Sequence, residues 1–108
     1  MIRTTDPEGY REFVDGVHLK TLVHGDRTLL TEVRLDRGAV VPEHHHPQEQ
    51  TGYLVSGRLR FFGGDGETVV GPGDSWCFAA EEPHGAEALE DTVVIEVFSP
   101  VREDYLFD

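Results

Sequence analysis

At 108 residues the chain has room for one domain and argues against two. A formal net charge of −12, with one lysine and eight arginines against 21 acidic residues, counts against nucleic acid and anionic membranes as partners. No apolar run approaches the ~20 residues of a membrane helix, the single cysteine excludes an internal disulfide, and residues 1–6 lack an apolar leader, so a cytoplasmic location is expected.

Along the chain, Asp6-Pro7 resembles an N-cap followed by a first-turn proline, which predicts one short helical turn within 6–14. A strand is expected over 17–24, ending at the Gly25-Asp26 turn. Over 28–35 the alternation is clean: Leu29, Thr31, Val33 and Leu35 share one face, and Leu30, Glu32 and Arg34 the other. Further strands are predicted over 39–41, 51–56, 58–62, 67–70, 75–79, 85–89 and 93–98. The separators Gly63-Gly64-Asp65-Gly66, Gly71-Pro72-Gly73-Asp74 and Glu81-Glu82-Pro83 have the chemistry of turns. Eight or nine strands at this spacing indicate an all-β sandwich or barrel. Arg58 and Arg60 alternate with Leu59 and Phe61 and read as a solvent face, and Cys77, between Trp76 and Phe78, reads as a small core hydrophobe.

Three of the six histidines stand together in Pro42-Glu43-His44-His45-His46-Pro47. In extended chain His44 and His46 point the same way and His45 points away. Two imidazoles on one face make half of a site for a divalent transition metal such as Zn, Ni, Mn or Fe. His18 and His24 belong to no such pattern.

Gly38, five residues, His44, one residue, His46, three residues, Gln50, six residues and Gly57 resembles the first motif of the cupins. Gly71-Pro72-Gly73-Asp74 and Pro83-His84-Gly85 resemble the second, which supplies the last histidine. The two motifs span about residues 28–102 in one domain of 1–108. The resemblance implies a cupin jelly-roll β-barrel, a metal held by His44, His46 and His84, and a homodimer. At the fourth ligand position, where many cupins have glutamate, this chain has Gln50. Glu49 would serve only if the strand slipped by one residue, and water is the remaining alternative. Three neutral imidazoles and a neutral amide leave a +2 charge uncompensated, a Lewis-acidic site that attracts a small anion.

On the last strand Val94, Glu96 and Phe98 share a face, and a carboxylate among apolar residues is a candidate general acid or base. The run from Glu96 to Leu106, with Glu49-Gln50 and Gly52-Tyr53-Leu54-Val55, is similar to the pectin- and alginate-degradation cupins, which open 4,5-unsaturated uronates to linear keto-uronates. That resemblance implies catalytic roles for Glu96, where the group has aspartate, and for Arg102. Arg102 would also hold the substrate carboxylate, and Phe98 would pack the sugar face. Read without it, Phe98 is equally a core residue and Arg102 a surface partner of Glu103 or Asp104. The leading expectation is a metal-dependent enzyme acting on a small sugar acid. A non-catalytic binding cupin and a dioxygenase or polyketide cyclase are the alternatives.

Overall fold

The computed structural model describes residues 1–64 and 66–107. Ten strands run through them: β1 (Arg11–Val14), β2 (Val17–His24), β3 (Leu29–Leu35), β4 (Val40–His44), β5 (Glu49–Ser56), β6 (Leu59–Gly63), β7 (Gly66–Val70), β8 (Ser75–Phe78), β9 (His84–Ala88) and β10 (Thr92–Ser99). They form two antiparallel sheets, one of six strands ordered β1-β2-β3-β10-β5-β8 and one of four ordered β4-β9-β6-β7. A single 3₁₀ turn, Glu103–Tyr105, follows.

The alternation read over 28–35 corresponds to β3, where Leu29, Thr31, Val33 and Leu35 are buried. Leu54 and Leu59 complete the most buried apolar residues, and Val17, Leu19, Val94 and Ala88 pack with them between the sheets. Of these, Val17, Leu19, Val33, Leu35, Leu59 and Val94 also line a cavity of about 370 Å³. No helix among the described residues is long and apolar enough to cross a membrane.

Three expectations need correction. Residues 6–14 contain no helical turn. Asp6 Oδ1 accepts the Glu8 amide N–H at 2.9 Å, as an N-cap would, but Gly9 then adopts φ +92° and turns the chain out of any helix. Arg11–Val14 instead pairs with β2 as an exposed edge strand. Cys77 is exposed, not core. It pairs with Thr51, while its neighbours Trp76 and Phe78 pair with the inward-facing Gly52 and Gln50. A strand has only two faces, and two aromatics outweigh one thiol in deciding which is buried. Arg60, read as solvent-facing, is half-buried, lying 3.3 Å from Glu67 and 3.0 Å from Glu87.

Candidate metal centre and active-site cavity

Each histidine of the motif is held from behind. Nδ1 of His44 lies 2.9 Å from the Pro42 carbonyl, Nδ1 of His46 2.9 Å from that of Gln48, and Nδ1 of His84 2.8 Å from that of Glu82. A carbonyl only accepts, so every Nδ1 carries the hydrogen and every Nε2 presents a lone pair. Backbone carbonyls behind metal-binding imidazoles have this role in orienting them. A register shift in the β4–β9 pairing brings His44 directly opposite His84, and His46 swings in from the turn before β5. One donor nitrogen from each of the three rings lies within 4.8 Å of the others.

Two observations match this donor set to a cation. His84 Nε2 is buried with no hydrogen-bond partner among the described residues, an arrangement native interiors rarely tolerate. His46 Nε2 faces Gln50 Oε1 at 2.9 Å, and the Gln50 amide nitrogen donates to Glu96, so two acceptor atoms lie side by side. A shared positive charge relieves both mismatches. Burial lowers the pKa of His46 and brings that of His84 down to about 4, which keeps both rings neutral and ready to ligate at pH 7. His45 is exposed and lies 3.5 Å from Glu81, on the opposite side of the strand. Glu49 is exposed as well, so the strand has not slipped and Gln50 occupies the inner position.

The lowered His84 pKa carries a stability consequence for the metal-stripped protein. Its folded-state value lies below the ordinary 6.5, so protons favour the unfolded chain. The contribution is present above about pH 6.5 and is lost as the pH falls through about 4. Urea unfolding of chelator-treated protein across this range should show the decline. His84→Gln should flatten it relative to wild type.

Glu96 lines the same cavity and is joined to His46 through the Gln50 side chain. It sits in a cross-strand row with Thr31, Gly52 and Trp76, next to the row Leu29–Phe98–Gln50–Phe78. Its Oε2 accepts from the Gln50 amide and, at 3.1 Å, from the Trp76 indole N–H. Burial pushes its carboxyl above the usual carboxylate range, while the two donors and the Arg102 charge pull it back. Phe98 is buried, with its ring 5.8 Å from that of His46. The Arg102 guanidinium lines the cavity, stacks 4.0 Å from the Tyr105 ring centre and grips Asp104 with two nitrogens at 2.8 and 3.3 Å.

Sequence reasoning missed Trp76, Gly52 and Tyr105. A glycine inside a strand pattern signals a close approach, and Gly52 carries that signal. Tyr105 lies beyond the last strand and has no periodicity to betray it. Its ring sits 5.3 Å from Phe98, and burial pushes its phenol up to about 12.

Two facing antiparallel sheets with three convergent histidines inside define a jelly-roll barrel with a candidate metal centre. The chain belongs to the cupin family, whose cupin-domain model matches residues 31–99. It is 28% identical over 103 residues to the pectin degradation protein KdgF of Dickeya dadantii, covering 94% of each chain. The structure of KdgF from Halomonas sp. superposes with a TM-score of 0.89 at 33% identity, covering 95% of this chain and 97% of the other. An RmlC-like cupin from Shewanella frigidimarina follows at TM-score 0.86 and 25% identity, covering 93% and 90%. The polyketide cyclase RemF of Streptomyces resistomycificus, at TM-score 0.80 and 22% identity over 95% and 82%, shares the fold.

Proposed function

We propose that this protein is a metal-dependent enzyme that opens the ring of a 4,5-unsaturated uronate to a linear keto-uronate. The observation that supports it best is a convergent set of histidine lone pairs sharing one cavity with a carboxylate that Gln50 links to them. The likeness to KdgF along nearly the whole chain points to the same substrate class. The reaction is an isomerisation. The proton leaves the anomeric hydroxyl, C1=O forms as the C1–O5 bond breaks, the electron pair passes to the enolate, and C4 takes a proton. In this reading Glu96 moves the proton, and Phe98 packs the sugar ring. Arg102 holds the substrate carboxylate, reaching it past its Asp104 partner. His44, His46 and His84, with Gln50 as the fourth ligand, would hold a divalent ion that supplies Lewis-acid stabilisation to the developing oxyanion.

The working form is a homodimer in the cytoplasm. Tyr53 and Val55, about half exposed on the outer face of β5, offer apolar surface for such an interface. One observation favours a second reading, a cyclase acting on an aromatic polyketide: Phe61, Trp76, Phe98 and Tyr105 line the cavity.

Metal analysis followed by turnover of unsaturated galacturonate and guluronate separates these readings. The proposal expects loss of the substrate's enol-ether absorbance with appearance of the keto-uronate. A flat trace with both uronates, alongside turnover of a polyketide-like diketone, would exchange one reading for the other. A non-reacting uronate analogue should also bind metal-loaded protein at least about tenfold more tightly than stripped protein in calorimetry, since an uncompensated cation attracts the carboxylate. Equal affinities would count against the Lewis-acid site.

A further inference from the structure

Both hydrogen bonds to the Glu96 carboxylate end on one oxygen, Oε2, and none from the described residues reaches Oε1. The two donors differ in origin. Gln50 sits beside the histidines, whereas Trp76 comes from the edge strand β8, two strands away from β10. The residue between Glu96 and Trp76 in their row is Gly52. A Cβ at Gly52 would lie 2.2 Å from the indole nitrogen and 2.3–2.5 Å from Cε2 and Cζ2, far inside van der Waals contact. The indole therefore crosses directly over the backbone of β5 to reach the carboxylate. In the next row inward the equivalent position is filled by Leu54 opposite Val94, the packing a core alone requires. Phe61 meets the indole edge-on at 4.7 Å and fixes its tilt.

We propose that Trp76 is a positioning residue for Glu96 and that Gly52 is the opening through which it acts: with Gln50 they pin Oε2 and leave Oε1 to exchange a proton with bound substrate. The inference rests on the reading of Glu96 as the proton-moving group. Its physical reason is the length of glutamate. One more rotatable bond than aspartate lets the carboxyl wander, and a displacement near 1 Å can cost about 10²-fold in rate. Two donors on one oxygen remove that freedom.

The kinetic test uses metal-loaded protein and the unsaturated uronate. Trp76→Phe keeps a ring against Phe61 and loses the N–H, and it should lower kcat by about 10- to 100-fold with KM little changed. Gly52→Ala, which drives the indole aside, should do the same. In the Glu96→Gln background neither change should cost anything more, as for residues that act through one group. Additive losses would make Trp76 a packing residue and overturn the proposal. So would an undiminished kcat in Trp76→Phe when Glu96→Gln is inactive, and that result leaves the role of Glu96 standing. Full activity in Glu96→Gln overturns both readings together.

A second readout is independent of turnover. Trp76 is the only tryptophan, so the zinc-loaded, ¹⁵N-labelled protein has one indole N–H resonance. Held by a carboxylate, it should lie downfield and exchange slowly with solvent. Glu96→Ala and Gly52→Ala should each move it toward the free-indole position, with the backbone resonances still dispersed. A resonance that neither variant moves removes the hydrogen bond and the proposal with it.

Discussion

Glu96→Gln should lower kcat on an unsaturated uronate by about 10²–10⁴-fold, the range general acid–base catalysis typically supplies. Glutamine matches glutamate in volume and keeps an oxygen for the Trp76 and Gln50 donors, so the cavity wall survives the change. What is lost is the ability to move a proton. KM should shift little, because Arg102 and the metal centre carry substrate binding in this reading. Glu96→Asp is the companion measurement. It restores the residue of the resembling group but withdraws the carboxyl by roughly one bond length from donors set for the longer chain. Should the whole neighbourhood be built for glutamate, Glu96→Asp loses activity as well. An active Glu96→Asp would show that reach into the cavity, more than the hold on Oε2, limits the rate. Wild-type turnover in both variants would sink Glu96 as the proton-moving group.

His46→Ala should weaken divalent-metal binding by more than about 100-fold, beyond the 10- to 100-fold that loss of a residue behind the ligands typically costs. His46 is buried, its tautomer is set by the Gln48 carbonyl, and its Nε2 points at the same space as those of His44 and His84. His45→Ala is the control. That side chain is exposed on the other face of the strand, beside Glu81, and its loss should leave metal content unchanged. Elemental analysis of both variants after equal loading and dialysis gives the comparison. Comparable metal in both would show that the triad is not the site. Parallel loss in both would point to a local unfolding of the loop between β4 and β5, which the thermal stability of the stripped proteins would reveal.

Much of this molecule is legible in its residues alone, because period-2 alternation depends only on which face of a strand meets the core. The β3 pattern, the inward set Val94, Glu96 and Phe98, and the shared direction of His44 and His46 all follow from it. Where two readings satisfy the same local pattern, local reasoning fails. Asp6-Pro7 begins a helix or an isolated turn equally well, and Gly9 decides the matter. Cys77 loses the interior to two larger neighbours once β8 has to match the register of β5.

Residue types and their spacing establish the class of chemistry: histidines at metal-ligand spacing, a carboxylate among apolar residues, and turns that cut the chain into strands. These are matters of short-range order, which backbone geometry transmits without knowledge of the fold. How those groups meet is settled by the long-range strand pairing. It sets His44 opposite His84 through a shift in strand register, whereas each imidazole is turned locally by a carbonyl two residues away. It also lays Trp76 over Gly52 onto a carboxylate 20 residues distant. The β8–β5–β10 pairing closes that last contact across long stretches of chain, and nothing local in the sequence encodes the distance between an indole nitrogen and an oxygen two strands away.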